Sequence, residues 1–528
     1  MRMMSPSPRS PQTTNLLPSF KMQEIQHVAV FDFGSQYTQL IVRRIRELGF
    51  FAKLYSPEEI SEIGQPGAII LSGGPKSTSE SDAPDIDFEK LKSFEVPVLG
   101  VCYGMQLLNI KFGGSVKKSN RREYGAAALT PRCHKDLYDG VSAGSQVWMS
   151  HSDTVQDLHE EAEVIATNQH DTPVSLRWPG GFFGIQFHPE VTHSHDGLRI
   201  LKNFLKQAKK LQPFHIEDFK REMIEGIREL VGDKQVVCGV SGGVDSTVLA
   251  VLLKEAGVKV RAIFVDNGLL RKDESTVVQN NFHRMGVEIE TVDASDEFLN
   301  ALAGKEDPEE KRRIIGNLFI KVFWDSVGNA EMLAQGTLYP DVIESASNAK
   351  SKASVIKTHH NRVPKILELQ EQGKVLEPLA ELFKDEVREL GAALGIASDI
   401  LGRHPFPGPG LAVRCPGAID RERLNIIREC DAIFIGKLKQ HGWYDRVWQA
   451  YAGLIPVKTV GVKGDERSYE WATNLRAVIS EDAMTAEWVD LPAQLLRETS
   501  QDILNEVSGI NRVLYDISTK PPASIEWE

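Results

Sequence analysis

A cysteine stands at the junction between an apolar segment and a helical one. Residues 96–101 have the apolar character of a buried strand, and Cys102 follows them directly, between Gly100 and Gly104. The Gly-x-Cys-x-Gly spacing has the form of a nucleophile elbow, because a sharp strand-to-helix turn leaves no room for Cβ atoms on either side. A helix N-terminus favours a thiolate, so Cys102 is a candidate nucleophile. The alternative is a buried small apolar side chain.

A histidine and a glutamate follow another apolar strand. Residues 182–187 predict this strand, and His188-Pro189-Glu190 comes next. The proline keeps His188 out of the helical region, and residues two apart in an extended chain project to the same side. Glu190 could therefore orient the imidazole, as the carboxylate does in a catalytic triad. Taken alone, His188 would more often be a capping or core residue. Together with Cys102, the pair predicts a thiol-dependent site.

A second chemical centre is the string Ser-Gly-Gly-Val-Asp-Ser at residues 241–246. It lies between a predicted strand at 235–240 and a predicted helix at 247–255. Two glycines let backbone N–H groups close on an anion, and the helix N-terminus adds partial positive charge. The Walker A lysine is missing, so the loop suits a pyrophosphate better. An ordinary strand-to-helix turn is the alternative for Ser-Gly-Gly alone.

The surrounding elements predict an α/β protein of several domains. Strands near 28–31, 68–71 and 96–101 alternate with helical segments, which indicates an open, mostly parallel sheet. The strand at 261–265 extends a second such sheet and ends at Asp266, where ligands gather in parallel sheets. The Pro- and Gly-rich residues 404–411 precede a small α+β part. We therefore predict a disordered leader at 1–24, α/β domains at 25–211 and 212–403, and an α+β domain at 404–528.

Composition and charge limit the kinds of binding partner and the cellular compartment that are expected for the chain. The chain has 528 residues, a net charge of −12 and a pI near 5.7, so neither nucleic acid nor an anionic membrane is expected as a partner. No run of about 18 apolar residues occurs, which argues against a transmembrane helix. The five cysteines form no C-x-x-C pair and no metal-ligand spacing. These features predict a protein of the reducing cytoplasm.

The cysteine and histidine motifs resemble those of the class I, or triad, glutamine amidotransferases. The resemblance implies that Cys102 attacks the glutamine amide, His188 carries the proton and Glu190 orients His188. It also implies an oxyanion hole and a glutamine pocket, formed by Gly73, Gly74, Tyr103, Gln106, Ser150 and His151.

The Ser-Gly-Gly-Val-Asp-Ser string resembles the loop of the PP-loop ATP pyrophosphatases, which cleave ATP to AMP and pyrophosphate. The resemblance implies Mg²⁺ as the cofactor, with Asp245 as its candidate ligand, although Asp266 is a second carboxylate that spacing alone does not separate from it. The implied ATP-binding residues are Ser241, Gly242, Gly243, Val244, Asp245, Ser246, Thr247, Val265 and Asp266.

The order of these motifs, together with the strings PFPGPGLAVR, QGTLYPDVIES and KPPASIEWE, resembles the family of glutamine-hydrolysing GMP synthetases over residues 25–528. The implied reaction adenylylates xanthosine 5′-monophosphate (XMP) with ATP, and ammonia from glutamine then displaces AMP to give GMP. The implied XMP-binding residues are Arg312, Arg512, Lys520, Ile525 and Glu526. The implied lid residues are Asp341, Glu344, Lys357, His359 and His360. The C-terminal domain is expected to form a homodimer.

Several of these residues also have plainer explanations. Asp341 and Glu344 could cap a helix instead of binding Mg²⁺, and the two histidines could lie on a surface loop. The segment after Asn361 reads Arg362-Val363-Pro364 and lacks the two glycines that many bacterial members carry there. Because glycines loosen a loop, we expect lid opening to differ in this chain.

Two other functions remain open at this point. A glutamine-dependent NAD synthetase also adenylylates its substrate, but that family pairs its PP-loop with a nitrilase-like glutaminase that needs Glu, Lys and Cys. A regulatory nucleotide-binding protein that has lost turnover is the second alternative. The intact Cys102, His188 and Glu190 argue against both.

Overall fold

The computed structural model describes residues 26–328, 330–342, 364–480 and 483–528, which fall into two compact units that divide between Phe219 and Lys220. The predicted leader, and Glu344, Lys357, His359 and His360 of the predicted lid, lie outside these ranges. Among the helices within them, none has the length and apolar character needed to cross a membrane.

The first unit contains a nine-stranded mixed sheet in the order β2-β1-β3-β4-β9-β8-β7-β5-β6. Its first five strands in this order run parallel, and the other four are antiparallel to their neighbours. The strands are β1 (Val28–Phe31), β2 (Ala52–Tyr55), β3 (Ala68–Leu71), β4 (Val98–Val101), β5 (Val116–Pro131), β6 (Ser145–Val155), β7 (Glu163–Asn168), β8 (Pro173–Trp178) and β9 (Phe182–Ile185).

The parallel half of this sheet positions the predicted thiol site. Strands β1, β3, β4 and β9 are buried along their whole length, as expected for apolar strands covered on both faces. The carboxyl ends of β3, β4 and β9 lead to Gly73, Cys102 and His188, so the topology gathers these residues at one edge. The helices are α1 (Thr38–Glu47), α2 (Phe88–Ser93), α3 (Tyr103–Lys111) and α4 (Gly197–Leu205).

The second unit contains a five-stranded parallel sheet in the order β12-β11-β10-β13-β14. Its strands are β10 (Gln235–Val240), β11 (Lys259–Asp266), β12 (Ile289–Asp293), β13 (Met332–Ala334) and β14 (Val375–Leu376). The described helices of this region are α5 (Ile216–Val231), α6 (Val244–Glu255), α7 (Glu274–Arg284), α8 (Ser295–Leu302), α9 (Pro308–Val327), α10 (Pro364–Glu371), α11 (Lys384–Ala393) and α12 (Ser398–Leu401).

A third sheet follows in the same unit. The long strands β15 (Gln449–Lys463) and β16 (Glu466–Ile479) form an antiparallel hairpin, which β17 (Glu487–Trp488) and β18 (Ile510–Tyr515) extend. Helices α13 (Arg421–Gln440) and α14 (Ala493–Glu506) complete this α+β part. Phe298 of α8 and Leu424 of α13 belong to one buried apolar cluster, so this part shares a core with the parallel sheet.

The predicted fold class is confirmed, and one helix boundary differs from the prediction. Helix α6 begins at Val244 instead of Thr247, because Gly243 is the last extended residue, with φ −74° and ψ 163°. Val244, Asp245 and Ser246 therefore belong to the first turn of the helix, where backbone N–H groups have no partner within the helix. This places Asp245 at the positive end of α6.

Candidate active sites

Cys102 lies on a strained turn between β4 and α3. Its φ of +50° and ψ of −102° are values that a non-glycine residue adopts only when its surroundings enforce them. A Cβ on Gly100 would lie 2.5 Å from the carbonyl carbon of Gly104, and one on Gly104 would lie 2.3 Å from the carbonyl oxygen of Leu71. The Cys102 N–H donates to Ile185 O at 2.7 Å. The turn thus has the close packing that a nucleophile elbow requires.

His188 and Glu190 form a buried pair beside this turn. His188 Nδ1 lies 2.7 Å from Glu190 Oε1, and both side chains are almost wholly buried. Cys102 is also among the groups that raise the pKa of His188, so the two side chains are neighbours, and Nε2 is the ring nitrogen left to face the sulfur because Nδ1 is engaged by the carboxylate. Arg44 Nε donates to the backbone oxygen of Glu190 at 3.0 Å, and the Tyr37 ring packs edge-on against the imidazole. The structure therefore brings the three predicted triad side chains together.

The charge state of His188 follows from these contacts. Burial lowers its pKa, but hydrogen bonds to Cys102 and Glu190, together with the charges of both groups, outweigh that effect and raise the pKa to about 10. The imidazolium is therefore the favoured form. An imidazolium beside a thiolate is the ion pair that makes a cysteine nucleophilic.

The predicted oxyanion residues border the same pair. A Cβ on Gly73 would lie 3.3 Å from His188 Cε1, and one on Gly74 would lie 2.8 Å from Phe33 O and 3.3 Å from Tyr103 Cγ. The Tyr103 hydroxyl donates to a backbone oxygen at 2.5 Å, which anchors the first residue of α3. A Cβ on Gly74 would therefore displace backbone beside the start of α3, and one on Gly73 would press tightly on the imidazole.

Ser150 contacts the sulfur, and Gln106 lies one helical turn after Cys102, with its backbone N–H donating to Cys102 O at 3.1 Å. The Cys102 thiol donates to Ser150 O, with 3.8 Å between sulfur and oxygen. Gln106 Nε2 donates to Asp153 O at 3.1 Å, and the Gln106 side chain is buried. Ser150 therefore contacts the thiol directly, whereas Gln106 is connected to it through the Gln186 amide.

His151 is held as a neutral group nearby. Its Nδ1 lies 3.0 Å from Asp153 O, and its Nε2 lies 3.4 Å from Glu123 Oε2. Burial lowers the pKa of His151, although Glu123 opposes the change, and the positive charge of His188 lowers it further. One imidazole of this site is thus disposed to be charged and the other to be neutral.

In the second unit, residues 241–247 form the turn between β10 and α6. Gly242 has φ +74°, a value at which a Cβ is strained. Ser246 Oγ accepts from the Ser241 N–H at 3.2 Å, and Thr247 Oγ1 donates to Gly243 O at 2.8 Å. Ser241 and Gly243 are exposed, so the turn presents backbone to solvent, as an anion-binding loop must.

Asp245 faces a lysine across this turn. Its Oδ2 lies 2.5 Å from Lys384 Nζ, while its Oδ1 is buried and has no hydrogen-bond partner among the described residues. Gly336, after β13, packs against the Asp245 backbone, and Val244 is buried beneath the turn. An unpaired carboxylate oxygen fits Mg²⁺, which takes one or two protein carboxylates together with substrate phosphates.

Val265 and Asp266 end the neighbouring strand. Val265 is buried, and Asp266 Oδ1 accepts from the Gly268 N–H at 3.0 Å. Asp266 lines a cavity of about 230 Å³, into which Arg421 and Arg428 of α13 also face. The carboxyl ends of β10 and β11, which carry the predicted ATP-binding residues, therefore lie side by side, with a cavity beside Asp266.

The Glu526 carboxylate is bound by a buried arginine. Arg414 Nε and Nη2 donate to the two Glu526 oxygens at 3.0 and 2.9 Å, and Gln449 Nε2 donates to Oε1 at 2.6 Å. The Arg414 side chain is fully buried. Ile525 is also anchored, because its carbonyl oxygen accepts from Tyr451 Oη and Arg476 Nε, both at 2.8 Å.

Two neighbouring cations of α9 hold Glu528. Lys311 Nζ, which is fully buried, pairs with its carboxylate, and Arg312 Nη2 donates to its backbone oxygen at 2.5 Å. The structure therefore brings Arg312 to the segment that contains Ile525 and Glu526. Lys520 Nζ donates to Ala483 O instead, and Arg512 is exposed on β18. Neither forms a hydrogen bond with the other predicted XMP residues within the described ranges.

Asp341 is the one predicted lid residue that the structure describes. Its Oδ2 accepts from the Leu338 N–H at 3.0 Å, which matches the helix-capping alternative. This bond leaves Oδ1 for a further interaction.

Family models match three stretches of the chain. Residues 29–208 match "Glutamine amidotransferase class-I", residues 234–305 match "tRNA methyl transferase HUP domain", and residues 436–527 match "GMP synthase C terminal domain". Among solved structures, a glutamine amidotransferase from Thermotoga maritima is similar to 35% of this chain and 99% of its own, with 18% identity and a TM-score of 0.29.

Curated relatives match almost the whole length. A GMP synthase [glutamine-hydrolyzing] of Thermosipho africanus is 48% identical over 517 residues, which are 95% of this chain and 99% of the relative. A protein of the same name from Chlorobaculum tepidum is 49% identical, over 96% of this chain and 99% of the relative. The chain belongs to the glutamine-hydrolysing GMP synthase family. The resemblance inferred from the motifs is thereby confirmed.

Sequence reasoning missed several residues at the sites of this GMP synthase family member. Lys384, Arg414 and Lys311 are distant in sequence from their partners Asp245, Glu526 and Glu528, so no local pattern indicates them. The sequence around His188 does carry a signal for Gln186. Its Nε2 lies 3.5 Å from Cys102 Sγ, and it precedes His188 by two residues, so the same parity that relates His188 to Glu190 applies to it.

Proposed function

We propose that the protein makes GMP from XMP, ATP and glutamine at two chemically separate sites. The first releases ammonia from glutamine. The second activates XMP with ATP so that ammonia can replace the C2 oxygen. Membership of the glutamine-hydrolysing GMP synthase family supports the overall reaction. The geometry around Cys102 and around residues 241–247 supports the assignment of residues at those two places.

The observation that carries the proposal is the convergence of Cys102, His188 and Glu190. A cysteine on a strained elbow, beside an imidazole whose Nδ1 lies 2.7 Å from a buried carboxylate, is an arrangement for nucleophilic attack on an acyl carbon. Such a site suits the side-chain amide of glutamine.

In the first half-reaction, Cys102 Sγ attacks the amide carbon of glutamine. Backbone N–H groups of Gly73, Gly74 and Tyr103 stabilise the oxyanion. His188 gives its proton to the leaving nitrogen, so ammonia departs and a thioester remains. Water then attacks the thioester with His188 as the base, which yields glutamate and the free thiol. Gln106, Ser150 and His151 line the pocket that holds the substrate.

In the second half-reaction, residues 241–247 hold the phosphates of ATP. The C2 oxygen of XMP attacks the α-phosphorus, and pyrophosphate leaves toward the backbone N–H groups at the start of α6. Val265 and Asp266 border the nucleotide. Asp245 would hold Mg²⁺, which supplies charge neutralisation for the phosphates when bound. Lys384, which lies against Asp245, offers a second cation for the departing group.

Activation is needed because an oxygen on a purine ring leaves poorly, whereas AMP leaves well. Ammonia attacks C2 as the neutral molecule, since ammonium has no lone pair. We assign XMP to Arg312, Arg512, Lys520, Ile525 and Glu526, of which the cations suit its phosphate. Asp341, Glu344, Lys357, His359 and His360 are assigned to the lid. The domain boundaries at 25, 212 and 404 remain part of this proposal.

We further propose a cytoplasmic homodimer that does not depend on nucleic acid or membrane. Its interface would include the β15–β16 hairpin, where Val457, Val460, Val462 and Tyr469 are 52–75% exposed. Apolar side chains this exposed on one hairpin are typical of a covered surface. Five unpaired cysteines are consistent with a reducing compartment. Sedimentation of the wild type and of Val460→Glu would test the interface, with a shift to monomer expected for the variant.

The substrate assignment is tested by supplying ATP, Mg²⁺ and glutamine with either XMP or nicotinate adenine dinucleotide. Formation of AMP and GMP with XMP alone is the expected result. AMP released only with the dinucleotide would point to an NAD synthetase, and no AMP with either would point to a protein without turnover. Both outcomes contradict the proposal.

A further inference from the structure

Gln186 contacts the reacting sulfur. Its side chain is 1% exposed, and its Nε2 donates to Cys102 Sγ at 3.5 Å. Gln186 follows β9, and its backbone N–H donates to Val174 O at 2.8 Å, so the residue is held in the extended direction that also carries His188. A carboxamide that is buried against a nucleophile and donates to it stabilises negative charge there.

The orientation of this amide is determined by its neighbours. Gln106 Nε2 donates to the backbone oxygen of Asp153 at 3.1 Å, and a carbonyl oxygen can only accept. The Gln106 nitrogen is therefore a donor, and the Gln186 atom 3.4 Å from it must be the acceptor Oε1. It follows that the NH₂ group of Gln186, not its oxygen, faces the sulfur.

The charged and titratable groups around the sulfur explain why an uncharged hydrogen-bond donor would help to stabilise a thiolate there. His188 and Glu190 lie on one side, while His151, Glu123 and Asp153 approach from β5 and β6. Three of these five groups are carboxylates, which oppose a nearby thiolate. A carboxamide adds a donor without adding a charge that would compete with His188 for Glu190.

We propose that Gln186 is a further catalytic residue, which stabilises the Cys102 thiolate after the proton has passed from Sγ to His188 and which aims the sulfur at the glutamine amide. Gln106 is the positioning residue that sets the Gln186 amide. This inference deepens the function proposed for the glutaminase site and rests on it. Its first test needs no substrate, so the two can fail separately.

The test is the rate at which iodoacetamide alkylates Cys102 in the full chain, measured over a range of pH by mass spectrometry of the peptide that contains it. Gln186→Glu places an acceptor oxygen where the donor was, and Gln186→Met removes the donor. We expect Cys102 alkylation at neutral pH to fall by at least about 10-fold in Gln186→Glu and by about 3- to 10-fold in Gln186→Met. The pH profile should move upward in both.

Two controls separate chemistry from unfolding. Cys133 lies in the same unit and is half-buried, so its alkylation in the same sample reports loss of structure. Gln146→Glu makes the same substitution at a residue whose amide contacts His193 O and not the sulfur. Neither Cys133 in the Gln186 variants nor Cys102 in Gln146→Glu should change its rate.

The proposal is overturned if Cys102 is alkylated with wild-type rate and pH profile in a Gln186 variant whose Cys133 rate is unchanged. If Cys133 shows that both Gln186 variants are unfolded, Gln106→Leu decides, because it leaves Gln186 in place and frees its amide to rotate. A Cys102 rate about 2- to 5-fold lower in Gln106→Leu supports the proposal, and an unchanged rate overturns it. As a second readout, GMP formation supported by ammonia should be retained in all folded variants, while glutamine-supported formation falls.

Discussion

The Arg414 guanidinium donates two parallel hydrogen bonds, of 3.0 and 2.9 Å, to the Glu526 carboxylate, although 112 residues separate the two in the chain. The guanidinium is fully buried and lies over the Tyr451 ring, 4.3 Å from its centroid. A planar fork matches a carboxylate in a way that an ammonium group does not. Arg414 therefore holds Glu526, a residue assigned to XMP, in one orientation.

We predict that Arg414→Lys raises the KM for XMP by about 10-fold with a smaller change in the KM for ATP, because one bidentate contact is lost. Steady-state kinetics with each substrate varied in turn measures this. Arg446→Lys, at an exposed arginine of the same unit, is the matched control and should leave both constants unchanged. Equal KM values for XMP in Arg414→Lys and the wild type would show that Arg414 has a packing role and does not orient Glu526 for XMP.

Gly242→Ala should disable the nucleotide loop. Gly242 has φ +74°, and its Cβ would lie 2.4 Å from Val278 Cγ2, so either the loop or the Val278 side chain must move. Arg403 Nη1 also donates to Gly242 O at 3.0 Å and would be displaced with it. We expect GMP formation to fall by about 10²-fold with either glutamine or ammonia, since small misplacements of catalytic groups are costly.

Gly257→Ala is the matched control for that change. Gly257 follows α6, has φ +71° and has no atom within 4 Å of an added Cβ. Both variants therefore pay a similar backbone cost of about 1 kcal/mol, but only one of them shifts the loop. Equal activities of the two alanine variants would contradict the role assigned to Gly242.

The triad residues could be predicted because each belongs to a short motif at a strand end, and parallel strands bring their carboxyl ends together. Cys102 and His188 were found in this way. The antiparallel half of the first sheet could not be predicted, since the sequences of strands such as β5 and β6 do not indicate which strands they pair with. The start of α6 was missed because Val244 to Ser246 look like loop residues, whereas the helix is set by the extended Gly243.

His404 makes the stability of the second unit depend on pH. Its Nε2–H donates to Tyr444 O at 2.9 Å and its Nδ1 accepts from the Ala450 N–H at 3.2 Å, so the buried ring is neutral. Burial lowers the pKa of His404 to about 4, with help from the charge of Arg271. The unfolded chain thus binds a proton first as the pH falls from about 6.5 to about 4, and stability is lost in that range.

By pH 5 the wild type should lose about 2 kcal/mol of unfolding free energy through this group. Urea unfolding at pH 7 and pH 5 measures the loss, which should be smaller in His404→Gln. His283→Gln, at an exposed position of α7, should keep the wild-type difference. If His404→Gln loses as much stability as the wild type, the ring is not the source of the effect.

Glu190→Gln should lower glutamine-supported GMP formation by at least about 10²-fold, because an uncharged group no longer stabilises the imidazolium of His188. The pKa of His188, raised to about 10 in part by Glu190, should fall in this variant. Proton NMR of the imidazole against pH measures that change. An unaltered titration would show that the carboxylate does not set the charge of His188.

The central claim is that sulfur chemistry serves the first site alone, and Cys102→Ala tests it most directly. GMP formation by this variant should be measured with glutamine and, separately, with ammonia as the nitrogen source, beside Cys133→Ala as the control. The account predicts that Cys102→Ala has no activity with glutamine and wild-type activity with ammonia, while Cys133→Ala keeps both. Loss of both activities in folded Cys102→Ala, or retention of the glutamine-supported one, would contradict the division of the reaction between two sites.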